Sequence, residues 1–189
     1  MDQQTLLLIA AVVVLALILI AVVAALSGRR RQRLREHFGP EYERVASEEG
    51  DPRRADRILA EREERVKKLD IRPLPESARA QFVEQWRAVQ ARFVDDPRGA
   101  VGDADALIGE AMQARGYPVS DFEQRAADVS VEHPGVVVDY RTAHEIARRR
   151  DIGTEDLRRA MVHYRSLFEA LVSPSGRDER VQEREESNR

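Results

Sequence analysis

The sequence predicts an all-α protein with an N-terminal transmembrane helix, a broken helical connector, a cytoplasmic bundle of about five helices and a disordered C-terminal tail. Three observations predict it. Leu6 to Leu26 is a run of 21 residues without a charge, almost all Leu, Ile, Val and Ala. Beyond it, apolar residues recur at helical spacing between breaks that contain Gly and Pro. No run of alternating β-branched residues is long enough to suggest a strand, since Val136-Val137-Val138 is only three residues long.

The apolar run comes first. At about 1.5 Å of rise per residue it covers roughly the 30 Å hydrocarbon core of a bilayer, where every backbone polar group must be satisfied internally. Before it stands only one charge, Asp2, whereas Arg29, Arg30, Arg31, Arg33 and Arg35 follow with no acid before Glu36. Positive-inside asymmetry then places the N-terminus outside and the rest of the chain in the cytoplasm. A cleaved signal peptide is the rival reading, because Ala25-Leu26-Ser27 imitates a cleavage site. The acidic start and the long core count against it. The arginines also suit contact with anionic lipid headgroups, worth roughly 1 kcal/mol each near the surface. Without cysteine there is neither a disulfide framework nor a lipoprotein anchor.

Four segments follow from composition: an anchor over 1–27, a charged connector over 28–72, a helical domain over 73–172 and a tail over 173–189. The connector holds 14 Lys and Arg against 11 Asp and Glu, and the helical domain 13 against 17. A mildly acidic body argues against nucleic-acid binding. In the connector, Gly39-Pro40 interrupts the extended first helix, and Pro40 opens a short one to about Glu49. Gly50-Asp51-Pro52 ends that piece and starts a helix from Arg53 to about Asp70, with Ala55, Leu59, Val66 and Leu69 on one face.

The domain's five helices each carry a start signal. Pro73-Leu74-Pro75 precedes the first, from Glu76 to Val94, with Phe82, Val83, Trp86, Val89 and Phe93 in a stripe. Asp96-Pro97 starts the second, which turns Val101, Ala104, Leu107, Ile108, Ala111 and Met112 inward and ends at Gly116. Ser120 and Glu123 form a capping box for the third. His133-Pro134 starts the fourth, bearing Tyr140, Ala143 and Ala147, and Thr154 caps the fifth, bearing Leu157, Met161, Tyr164, Phe168 and Leu171. The tail is densely charged with one isolated valine, too little apolar surface to offset the entropy of ordering.

Chemistry-bearing motifs do not assemble. His144-Glu145 lacks the second histidine of a zinc helix, and neither a phosphate loop nor a serine nucleophile elbow occurs. Asp95-Asp96 beside Pro97 reads as a helix start. No catalytic residue, cofactor or metal ligand is therefore expected. Two constellations stand out as alternatives. Phe82, Trp86 and Phe93 could line a groove for a partner helix, although core packing is the commoner use of such a stripe. Tyr140, His144, His163 and Tyr164 could line a small-ligand or enzymatic pocket.

The segments LDIRPL (Leu69 to Leu74), RFVDDP, RGYPVSDFEQRAADVSVEHP and TEDLRRAMVHYRSLF resemble a family of uncharacterised bacterial proteins with one N-terminal span, a charged connector and a helical body. The resemblance implies a bacterial inner membrane and carries no activity, substrate or functional residue. The expected role is a membrane-anchored protein-interaction module without catalytic activity, whose partners are the bilayer and another protein or a second copy.

Overall fold

The computed structural model describes residues 3–173. Among these residues the regular structure is eight α-helices and no strand: α1 (Gln3–Phe38), α2 (Pro40–Glu49), α3 (Pro52–Val66), α4 (Glu76–Arg92), α5 (Pro97–Arg115), α6 (Phe122–Glu132), α7 (Val137–Arg148) and α8 (Thr154–Val172). The tail read as disordered lies, from residue 174 on, outside the described residues. The chain divides between Leu59 and Ala60, inside α3, into two compact units.

In the first unit, α1 contains one stretch long and apolar enough to cross a membrane. Its side chains are exposed from Val12 to Val22 and from Ala24 to Arg30. The helix continues unbroken through Ser27-Gly28 and the arginines, because no proline removes a backbone donor before Pro40 and a single glycine costs only about 1 kcal/mol. Gly39 then takes φ 50°, a left-handed conformation that favours glycine, and Pro40 occupies the first position of α2. Among the described residues of this unit, Leu34, Phe38, Tyr42, Val45, Ala55 and Leu59 are the buried apolar side chains. They recur at three- and four-residue spacing within each helix, so each helix has one buried face.

The second unit has a continuous apolar core from Leu74 to Val172. Here α8 packs on α7, α5 and α4, while α4 also packs on α5 and α6 on α7. The inward residues expected on α5 are all buried, as are those expected on α8. Between α3 and α4, the segment 67–75 is held to the end of α5 by the Arg72 amide, which donates to the Arg115 carbonyl at 2.7 Å. Arg65, in the last turn of α3, donates from Nε and Nη2 to Oδ1 of Asp128 on α6, at 2.9 and 2.6 Å. Asp128 is 1% exposed and also accepts from Gln124 at 2.9 Å. An ion pair on one buried carboxylate thus seats the end of α3 against the core helices.

Several helix ends differ from the sequence expectation, each for a local reason. Helix α3 stops at Val66 instead of Asp70, and the chain turns there through a Leu69 amide bond to the Val66 carbonyl. Helix α4 stops at Arg92, leaving Val94 in a turn and 83% exposed. The cap of α6 is Asp121, whose carboxylate accepts from the Gln124 amide at 2.9 Å, and not Ser120, whose hydroxyl is buried without a partner. A carboxylate at the positive end of the helix dipole is the stronger cap. His133-Pro134 does not start α7: His133 closes α6, and α7 begins at Val137. A residue before proline is pushed out of helical backbone, and His133 has ψ 55°. Gly153, not Thr154, caps α8, without a side-chain bond.

Candidate functional site

The five arginines after the apolar run divide into different environments. Arg31 is half-buried, and its Nε donates to Asp56 Oδ2 at 2.9 Å. The Tyr42 hydroxyl donates to the other oxygen of the same carboxylate at 2.8 Å. One side chain of α3 therefore ties α1 to α2. Arg35 lies over the Tyr42 ring, 5.1 Å from its centroid, and 3.7 Å from Glu43. Beside this cluster, Glu41 is fully buried and accepts from Arg44 Nε and Nη2 at 2.8 and 2.7 Å. Hydrogen bonding to Asp56 raises the Arg31 pKa, and burial followed by the Asp56 bond raises that of Tyr42. Both groups are therefore held in the protonated forms that make these bonds. Arg29, Arg30 and Arg33 are exposed.

Of the aromatic stripe, Trp86 is 5% exposed and stacks on Phe168 of α8, with ring centroids 4.5 Å apart and planes 13° from parallel. Phe82 and Phe93 are partly buried against the same core. Trp86 thus belongs to the packing of α4 on α8, while Phe82 and Phe93 remain partly exposed at the margin of the core.

The four pocket candidates fall into two places. Tyr140 and Tyr164 are fully buried, with ring centroids 6.1 Å apart. His144 stacks on Phe122 at 3.5 Å, and Phe122 in turn packs on Tyr140. His163 stands apart, its Nδ1 2.9 Å from Asp139 Oδ1. The centre of the first group is Asp105 of α5, which the sequence reading missed. Its Oδ1 and both tyrosine hydroxyls are buried, and the two hydroxyls face the Asp105 carboxylate. Burial, then the nearby Asp105 charge, raises both tyrosine pKa values. Arg125 Nη2 lies 3.5 Å from Asp105 Oδ2, and Gly109 leaves room for this guanidinium: a Cβ there would come within 2.8 Å of Arg125 Nη1. No local signal marks Asp105, because its neighbours come from three other helices. Among the described residues no group of three or more His, Cys, Asp or Glu is placed to hold a metal ion.

A third polar cluster lies at the end of α5. Arg115, 4% exposed, donates to the Leu171 carbonyl at 3.1 Å and approaches His133 Nε2 at 3.5 Å. Tyr117 donates to Glu132 at 2.7 Å, and Arg115 Nη2 lies 3.5 Å from the same carboxylate. Burial, then the Arg115 charge, lowers the His133 pKa, with Glu132 opposing. His144 is lowered as well, chiefly by burial. Both imidazoles are therefore neutral in the fold where an unfolded histidine, with a pKa near 6.5, begins to take a proton. Below that value the unfolded chain binds more protons, so stability is fully present above about pH 6.5 and falls as the pH drops toward the lowered values. We expect the urea midpoint to fall between about pH 7.5 and about pH 5.5, and His133→Gln to flatten part of that fall. A midpoint with the same pH dependence in the variant would contradict the assignment to His133.

Compared with known proteins, the chain matches no family model, no curated protein and no solved structure.

Proposed function

We propose that this chain is a membrane-anchored protein-interaction module without catalytic activity. Its N-terminus lies outside a bacterial inner membrane, and helices α4 to α8 form a cytoplasmic five-helix bundle that engages a protein partner or a second copy. Membership in the bacterial single-span family belongs to the same reading. One observation carries it: α1 leads without a break from the apolar stretch into a folded junction in which Arg31 of α1 and Tyr42 of α2 share the carboxylate of Asp56 on α3. Within the first unit, this junction continues the anchor helix into folded structure. Tethering raises the effective concentration of any other membrane-bound protein. In-membrane crosslinking of the full chain should return a reproducible partner or a self-crosslinked species. Its absence across several crosslinker lengths would overturn the reading.

A second reading is a small-ligand or enzymatic cleft, now centred on Asp105, Tyr140 and Tyr164. The gathering of one carboxylate and two tyrosine hydroxyls in an apolar interior favours it, since burying polar groups is costly.

A further inference from the structure

The arginines that follow the apolar run are usually considered together, as topological charge. Their environments in the first unit separate them. Arg31 and Arg35 belong to the junction: the first binds Asp56 and the second covers the Tyr42 ring. Arg29 and Arg30 are exposed, and among the described residues neither side chain has an ion pair or hydrogen bond. The nearest acid after them in the chain, Glu36, accepts from Gln32 at 2.8 Å.

Their position is set by the helix. Arg29 and Arg30 follow Leu26 by three and four residues, which on a continuous helix is about 5 Å along the axis. With the apolar stretch in the hydrocarbon core, that is the depth of the lipid phosphates. Backbone amides there are already used in the helix, so the donors available to a lipid are the two guanidinium groups. A guanidinium offers a planar fork of donors that matches two phosphate oxygens, and it is weakly hydrated. The junction adds the element that an isolated basic segment lacks. Because Arg31 is bonded to Asp56 and Leu34 and Phe38 are buried, this turn of α1 is fixed in rotation within its own unit. Arg29 and Arg30 are then presented on a helix whose orientation is already ordered, which lowers the entropy lost on binding.

We infer that Arg29 and Arg30 form a binding site for the phosphate of an anionic phospholipid, whereas Arg31 and Arg35 are positioning residues that hold the helix carrying it. The inference rests on the reading of α1 as a membrane span. It assigns to two residues a role that the sequence alone spread over five.

The test uses the full chain reconstituted in nanodiscs of phosphatidylcholine and phosphatidylglycerol in equal amounts, with co-retained lipid measured by native mass spectrometry. The unaltered chain should retain phosphatidylglycerol over phosphatidylcholine, at roughly fivefold for each arginine engaged. R29Q/R30Q should bring the ratio close to one, with an unchanged far-ultraviolet circular dichroism spectrum, and R29K/R30K should keep most of the preference. R31Q/R35Q should keep most of it too while lowering the unfolding midpoint, a readout that a lipid-binding role alone would not move. Equal retention by the unaltered chain and R29Q/R30Q overturns the site, as does an equal loss in R31Q/R35Q. Release of the chain from membranes by alkaline carbonate overturns the span itself. A chain that stays embedded without lipid preference overturns only the lipid site.

Discussion

Replacing Trp86 with alanine should lower the stability of the second unit by about 3–5 kcal/mol, the range for deleting a large aromatic from a packed interior. Trp86 is 5% exposed and lies face to face with Phe168, so truncation removes apolar burial and the stacking contact together and leaves a void between α4 and α8. The indole N–H has no hydrogen-bond partner, so no polar interaction is lost with it. Trp86→Phe should therefore cost much less than the alanine variant. Urea unfolding of the full chain, followed by circular dichroism because the lone tryptophan is removed, measures both. A Trp86→Ala variant as stable as the parent would return the aromatic stripe to the role of an open groove.

Gly116→Ala should be the second most damaging single change, at about 2–4 kcal/mol, although it adds only a methyl group. Gly116 ends α5 with φ 102°, in the left-handed region where a β-carbon is strained. A Cβ there would also lie 2.3 Å from the Asp70 carbonyl oxygen. That oxygen belongs to backbone and cannot swing aside, because the segment carrying it is tied to α5 by the Arg72 amide bond to the Arg115 carbonyl. The same substitution at Gly102, inside α5 with nothing within 4 Å of a Cβ, should instead stabilise by about 0.4–1 kcal/mol. Opposite shifts of the two thermal midpoints would separate strain and clash from ordinary helix propensity. Destabilisation of both by equal amounts would contradict the argument.

Much of the helical framework is readable from the residues because its signals are local. Pro40 and Gly50 bound α2, Asp96-Pro97 starts α5, and Gly116 stops it, each acting through backbone chemistry within a few residues. The inward faces of α5 and α8 follow from apolar spacing of the same short range. Helix starts at Asp121 and Val137 were misplaced because neighbouring signals compete. Ser120 and Asp121 are both good caps, and a proline both opens helices and excludes helical backbone from the residue before it.

The polar contacts required the tertiary structure. Asp56 joins a residue 25 positions away to one 14 positions away, and Arg65 reaches Asp128 across 63 positions. Nothing about an aspartate on a charged helix distinguishes these from the solvated acids around them, since the difference is which other helix lies opposite. The sequence by itself determined the all-helical class, a helix apolar enough to span a membrane, and the charge asymmetry around it, because composition and short-range periodicity suffice for these. Only the tertiary structure decided that Trp86 faces Phe168, that Asp105 and not His163 lies with Tyr140 and Tyr164, and that Arg31 is engaged within its own unit while Arg29 and Arg30 are exposed. Burial and pairing are properties of juxtaposed helices, and a one-dimensional pattern records each helix's own face without recording what meets it.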